Sequence, residues 1–518
     1  MNNLDIDLAL QQNHKANLIT IFLSIVNKYP DKTAIIETSS DKRTYRDLDI
    51  YSDQIANAIY KIGLPSNRRI GICIARSYDT IATAVAVMKL GCTYIPLAHD
   101  FPVNRLHDIC KKAELEFIIA NDNILDKLPI VDIVVNIDKE KTIIKRSNGS
   151  KFIADETQNQ PVNIIFTSGT VSTPKGVIIS QSSLINLVKN QNYAKITNND
   201  VFLQISPFEF DGATLEIWGT LLNGATLILM PPGYPVLSII AEKIKTYKIS
   251  LLFITTQLFN LMVDNRLEEL DMIKTILTGG EKASVKHMRK FLENRRFNHS
   301  LSNIYGPAEC TTFSTYYPIA SLEQIAEMDN IPIGKEIHEA YKIVVDENLM
   351  AVPKNTIGEL LIGGKGVSSG YLDAPALTQE KFIHKEYPGI SSKYFYRTGD
   401  KVFENNNGDI VFLGRYDKQL KIRGYRIFPE EIELVAMRHP DIAGAALLVS
   451  ENEIADKYTE LFVTSNNNLF SETEIKNFLK KELPGYIHVN RVTHLKEIPL
   501  KQNGKSDYDQ LKQSVLER

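Results

Sequence analysis

Through about its first 300 residues the chain alternates short Val/Ile-rich runs with stretches of helical periodicity. Arg69–Ala75, Ala225–Met230 and Ser250–Thr255 are such runs, each beside a candidate helix. The alternation predicts an α/β architecture with largely parallel strands. From Tyr341 the texture changes. Tyr341–Val345, Gly358–Gly363 and Asp409–Gly414 read as short strands separated by turns, a β-rich subdomain. Past Gly414-Arg415-Tyr416-Asp417 lies a tail of about 100 residues with its own strand and helix pattern, the size of a small α+β domain. The expected division is a core domain over 1–416 and a smaller domain over 417–518.

A length of 518 residues calls for more than one core. A net charge of -3 gives no reason to expect a nucleic-acid partner. Cys73, Cys92, Cys110 and Cys310 form no C-x-x-C pair, which argues against a disulfide framework or a zinc site. The N-terminus has neither the basic start nor the apolar core of a signal peptide, and no apolar run approaches the roughly 20 residues of a membrane helix. A soluble cytoplasmic protein without membrane or nucleic-acid partners is the expectation.

Chemistry is signalled first by Phe166-Thr167-Ser168-Gly169-Thr170-Val171-Ser172-Thr173-Pro174-Lys175-Gly176-Val177, which follows the apolar run Val162–Ile165. Backbone N–H groups, hydroxyls and one lysine in such a loop can wrap a polyphosphate. The usual P-loop is excluded, because its lysine follows a glycine and Lys175 precedes Gly176. Gly334-Lys335, Gly364-Lys365 and Gly504-Lys505 carry Asp329, Glu359 and Pro499 where that motif's first glycine belongs. A dinucleotide fingerprint fails too: Gly364-Lys365-Gly366-Val367-Ser368-Ser369-Gly370 has one residue too many and sits in the β-rich region.

Further motifs follow in order. They are Asn303-Ile304-Tyr305-Gly306-Pro307-Ala308-Glu309, Tyr396-Arg397-Thr398-Gly399-Asp400, Gly414 to Ile427 followed by Pro429–Glu433, and Pro499 to Asp507. With the first loop, they resemble the adenylate-forming enzymes: acyl-CoA synthetases, luciferases and the adenylation domains of nonribosomal peptide synthetases. Phe208–Trp218 and Leu90–Leu97 pull the resemblance towards the last group, and a stand-alone adenylation domain is the expectation. It covers nearly the whole chain.

The resemblance implies a ligase that joins a carboxylate to ATP, giving an acyl adenylate and pyrophosphate. A phosphopantetheine thiol on a separate carrier protein then takes the acyl group, after the small domain rotates. Thr167, Ser168, Gly169, Thr170 and Lys175 would handle the phosphates. Glu309 would hold Mg²⁺, a hard cation that takes oxygen ligands. Asp400 and Arg415 would bind the ribose, Gly280, Asn303 and Tyr305 would frame the adenine, and Lys505 would be catalytic at the forming bond. Asp417 matches the hinge and Gly424 the glycine lining the pantetheine tunnel.

Asp211 falls on the position that binds an amino-acid ammonium, through a charge-assisted bond. The remaining pocket positions fall on Gly212, Leu215, Phe253, Leu277, Gly279, Ile304, Thr312 and Phe313, none of them charged. An apolar or aromatic amino acid, or an aryl one of the aminobenzoate type, is the expected substrate. The two glycines would leave room, Phe253 and Phe313 would sandwich a ring, and Thr312 would bond a ring hydroxyl. The alternative is an acyl- or aryl-CoA synthetase using free coenzyme A. Departures from the family pattern are Val171-Ser172 in the first loop, Ala308 where threonine is common, and Phe428 where glutamate is frequent.

Overall fold

The computed structural model describes residues 17–146, 161–167, 174–296, 300–417, 419–422, 425–451, 457–465, 471–499 and 508–516. Among these, no helix is long and apolar enough to cross a membrane, and no disulfide links the cysteines.

Two large sheets form the N-terminal part. The six-stranded one runs in the order 133–136, 117–120, 69–73, 93–96, 161–167, 175–180. All its pairings are parallel except the last, where 161–167 turns back on 175–180 and sets Thr167 opposite Lys175. The nine-stranded sheet runs 335–336, 315–318, 300–305, 275–279, 251–255, 201–204, 226–229, 33–38, 41–44. Its inner strands are parallel and both edges are antiparallel. The alternation of strands and helices thus gives parallel sheets with antiparallel strands added at their edges.

Helix Asp211–Leu221 lies in the core joining the sheets, with every residue from Gly212 to Leu221 buried. That environment explains its near-continuous apolar sequence: a helix hydrophobic all round is an interior one. Its polar groups are matched. Trp218 Nε1 donates to Tyr94 Oη at 3.1 Å, and Asn163 Nδ2 donates to the same oxygen at 3.0 Å. The helix is thereby tied to strands 93–96 and 161–167. Buried Glu216 accepts from Ser206 N at 3.1 Å and Ser206 Oγ at 3.1 Å, fixing the loop that enters the helix.

Strands 340–345, 358–364, 394–404, 382–384 and 410–415 make an antiparallel sheet, as the change of texture after Tyr341 predicts. Beyond it come a hairpin, Leu420–Ile422 with Tyr425–Ile427, and a three-stranded sheet of 442–451, 457–465 and 491–494. Helices Pro429–Ala436 and Glu472–Glu482 pack on that last sheet around a separate core containing Ile432, Leu461, Val463 and Leu479.

Candidate active site

A cavity of about 100 Å³ opens where the antiparallel hairpin meets the N-terminal sheets. Its wall includes Thr167, Asp211, Phe253, Gly280, Ile304 and Ala308. Strand ends supply most of these groups. Thr167 ends one strand, Tyr305 ends another, and Asp211 opens the interior helix.

Glu309, which follows Ala308 of that wall, is fully buried in a short turn after strand 300–305. Its Oε1 accepts from Tyr371 Oη at 2.7 Å and from Arg426 Nη1 at 2.6 Å. Burial would raise its pKa, but the Arg426 charge and these bonds win and hold it down at about 2. Among the described residues its other oxygen, Oε2, is buried without a hydrogen-bond partner, as is Thr167 Oγ1. Two orphaned oxygens suit a hard cation or a phosphate ligand, so the residues present fit Mg²⁺ and a nucleotide's phosphates. Lys175 Nζ lies 5.7 Å from the ring centres of both Tyr371 and Phe428. Burial lowers its pKa to about 8 against the opposing pull of Glu309. A desolvated ammonium between two rings is a strong attractor for an anion.

Asp400, also buried, accepts from the Tyr305 hydroxyl and from Arg415 Nη1. Arg415 in turn grips Asp417, with Nε to Oδ1 at 2.6 Å and Nη2 to Oδ2 at 2.8 Å. One guanidinium thus joins the β-rich sheet to the first residue of the C-terminal segment. Asn303 is buried, and its amide donates to the Pro332 carbonyl at 2.8 Å. Gly280 has φ +93°, a backbone state that L side chains rarely adopt.

Asp211 lines the cavity. Burial pushes its pKa up to about 6, with Lys421 and Arg426 pulling the other way. Among the described residues it has no ion pair within bonding reach. Thr312 Oγ1 donates to the Asp211 carbonyl at 3.0 Å, so its proton is engaged with backbone while its oxygen keeps acceptor capacity. Thr311 and Thr312 are consecutive β-branched residues at φ +55° and +73°. Such states cost about 1–3 kcal/mol each and persist where neighbours fix them. Here the Thr312 bond to Asp211 and a Thr311 Oγ1 bond to Gly366 O at 2.8 Å do so.

Of the expected pocket positions, Asp211, Phe253, Ile304, Thr312 and Phe313 line the cavity. Leu215 and Leu277 are wholly buried in the core beside it. The glycines do not leave room. A Cβ on Gly279 would fall 2.1 Å from the Ile304 carbonyl oxygen, and one on Gly212 would fall 2.5 Å from the Phe253 ring. Gly279 is required by close strand pairing, and Gly212 by the packed ring. Phe253 and Phe313 meet edge to face with centroids 5.3 Å apart, so they form one wall and not a sandwich.

The cavity is also more charged than its expected positions suggest. Lys421, Arg426 and Glu209 reach it, and Tyr371 supports it. The first two lie in the motif Gly414–Ile427, but nothing in its spacing tells which side chains turn inward. Ser168, Gly169, Thr170, Gly424 and Lys505 lie outside the described residues.

The C-terminal segment holds the hairpin against this site. Tyr425 stacks on Tyr486 at 4.0 Å and touches Phe210 at 5.2 Å. Arg105 Nη1 meets Glu431 Oε1 at 2.9 Å, both side chains 8% exposed, which makes this a buried pair across the junction. Behind the hairpin a second cavity, about 530 Å³, runs between Arg76, His99, Asp100 and Tyr234 on one side and Tyr425, Tyr486 and His488 on the other.

Two sheets whose strand ends meet at one cavity, with a small C-terminal domain packed beside it, are the frame of a nucleotide-dependent enzyme class. The chain belongs to the AMP-binding enzyme family: residues 22–372 match the model of the AMP-binding enzyme, and 431–505 that of its C-terminal domain. That family consists of adenylate-forming ligases. The chain is 36% identical over 488 residues to bacitracin synthase 1 of Bacillus licheniformis, spanning 93% of this chain and 9% of that protein. It therefore corresponds to a small part of the curated relatives it matches. Among solved structures, NpsA-ThdA, an artificially fused adenylation–PCP di-domain NRPS from Klebsiella oxytoca, aligns with TM-score 0.85 and 26% identity over 94% of this chain and 87% of that one. Klebsiella oxytoca NpsA in complex with 3-hydroxyanthranilyl-AMSN aligns with TM-score 0.72 and 26% identity, over 97% and 100%.

Proposed function

We propose that this chain activates an amino acid as its adenylate and passes the acyl group to a phosphopantetheine thiol. The observation that carries the reading is a cavity lined by Thr167, Asp211 and Arg426, with Glu309 held by that same Arg426. ATP would lie with its phosphates along Thr167, Ser168, Gly169, Thr170 and Lys175, its ribose at Asp400 and Arg415, and its adenine by Gly280, Asn303 and Tyr305. Mg²⁺, when bound, would supply positive charge to the phosphates, and Glu309 is the group that would hold it. Asp211 would bind the substrate ammonium, which orients the carboxylate towards the α-phosphorus.

The attack brings two anions together, so catalysis rests on positioning and fixed positive charge. Lys175 would neutralise the departing pyrophosphate. Lys505 would bridge the substrate carboxylate and the nucleotide. The chain would divide into 1–416 and 417–518 with Asp417 as the hinge, which the Arg415–Asp417 grip supports.

An apolar or aromatic amino acid, aminobenzoates included, suits the wall of Phe253, Phe313 and Ile304. The 3-hydroxyanthranilyl ligand of Klebsiella oxytoca NpsA and the peptide-synthase relatives support an amine-bearing acid. The PCP partner of the fused relative supports a carrier protein over free coenzyme A as acceptor, with Gly424 in the tunnel. Substrate-dependent ATP–pyrophosphate exchange across proteinogenic amino acids, aminobenzoates, benzoates and fatty acids tests the reading. Exchange confined to an apolar or aryl amino acid is expected; exchange only with acids lacking an amine would overturn Asp211's role.

A further inference from the structure

The adenylate cavity and the larger cavity behind it share one stretch of wall, and Glu209 stands on it, two residues before Asp211. We propose that Glu209 is the general base that takes the thiol proton when the acyl group leaves the adenylate. The proposal rests on the thioester step set out above, with the larger cavity as the thiol's route.

Three titratable side chains border both cavities: Glu209, Tyr425 and Tyr486. Burial pushes Tyr486 up to about 12 and Tyr425 higher still, so neither phenol takes part in proton transfer near neutrality. His99 and His488 border the rear cavity alone. Glu209 remains. Its carboxylate accepts from its own backbone N–H, and among the described residues no side chain donates a hydrogen bond to it. Arg76, the cation that opposes the rise, donates Nη1 to Pro231 O at 3.0 Å and Nη2 to Ile205 O at 2.8 Å. Burial pushes Glu209 up to about 7, with Asp100 adding to the rise and Arg76 opposing it. Tyr425 and Tyr486 face it from the C-terminal segment, and Tyr234 and Asp100 close the wall beside them, packed against Gly485. A base whose affinity for protons matches the working pH is the efficient kind.

The step balances without a further reactant. The S–H bond breaks and its proton goes to a Glu209 carboxylate oxygen. The sulfur pair forms a bond to the acyl carbon, and the carbon–oxygen bond to phosphate breaks with its pair leaving on AMP. The proton then returns to water through the rear cavity.

The test begins from adenylate formed and isolated on the enzyme, so effects on adenylation drop out, and uses free pantetheine as the thiol in single-turnover mixing from pH 6 to 9. For the wild type the transfer rate is expected to rise through about pH 7 and level off, because the carboxylate acts only when deprotonated. In Glu209→Gln the rate at pH 7 is expected to fall about 100-fold and to climb tenfold per pH unit towards the thiol's own ionisation near 8.5. Glu209→Asp, which keeps the carboxylate, is expected to restore the levelling-off. A Glu209→Gln enzyme that matches wild type at every pH overturns the proposal. So does one slowed by the same factor at every pH, which would make Glu209 a positioning residue for pantetheine. Wild-type adenylate that pantetheine consumes no faster than water does would overturn the transfer reading itself, and the base with it.

Discussion

Asp211 lines the cavity and Glu309 follows Ala308 of its wall, and the protein treats the two carboxylates in opposite ways. Arg426 and Tyr371 engage one oxygen of Glu309, and the Arg426 charge holds it at about 2. Asp211 has no such partner among the described residues, and burial lifts it to about 6. A buried charge that the fold leaves incomplete is costly unless something else completes it. Glu309 therefore carries its own counter-charge in this arrangement, whereas among the described residues Asp211 is left to a ligand that brings its own cation.

The largest test of that contrast concerns the further cation assigned to the reacting centre. Lys505→Ala is expected to lower ATP–pyrophosphate exchange by about 1,000-fold, as loss of a fixed positive charge at a transition state does. Thioester formation from isolated adenylate should persist in the same variant, and equal loss of both steps would contradict the assignment.

Next comes Asp211 itself. Asp211→Asn is expected to weaken an amino-acid substrate by about 3 kcal/mol, roughly 100-fold in KM, since it removes one partner of a desolvated ion pair. The deaminated analogue should be indifferent to the change. The sign with pH follows from the raised value: Asp211 binds an ammonium only when ionised, so KM should rise as pH falls through about 6. A KM flat from pH 5 to 8 would remove Asp211 from ammonium binding.

At Glu309, Arg426→Gln should strip the carboxylate of its counter-charge and leave burial to act alone. Docking of the C-terminal segment, followed by fluorophores on either side of Asp417, should then weaken by about tenfold, less than the 3–5 kcal/mol of a pair that stays buried, because undocking lets water reach Glu309. In the parent, the pair's contribution to docking is complete above the ordinary carboxylate range near 4.5 and is lost only as pH falls towards about 2. Unchanged docking in the variant would mean that Tyr425, Tyr486 and the Arg105–Glu431 pair suffice.

The smallest effect separates space from structure. Gly279→Ala meets the fixed backbone oxygen of Ile304, and a thermal melt should show a loss of about 1–3 kcal/mol. Gly212→Ala meets a ring that can shift and should cost less. Equal stability with altered substrate range would return both glycines to the pocket.

Much of this was legible in the chain, and the parts that were not have physical reasons. Val/Ile-rich runs such as 69–75 announce buried parallel strands because both of their faces are covered. Glu309 and Asp400 stand out because short motifs carry them with their turns. Tyr371 and Arg426 do not, since they meet Glu309 from 62 and 117 residues away and only the docking of separate sheets joins them. The engagement of Thr312 with backbone and the edge-to-face meeting of Phe253 with Phe313 depend on side-chain direction, which periodicity does not encode. The antiparallel edges of the large sheets escaped for a related reason: a strand's own sequence carries little about the direction of its neighbour.

Arg426 on Glu309 has a consequence for timing. A cation on a covalent leash competes at an effective concentration that no dilution alters, whereas a diffusible ion competes in proportion to its own. A cation at Glu309 Oε2 would share one carboxylate with the Arg426 guanidinium, 2.6 Å from Oε1, and the two like charges repel. Posture of the small domain and occupancy by a dissolved metal thus become two readings of one equilibrium, and titrating either should move the other.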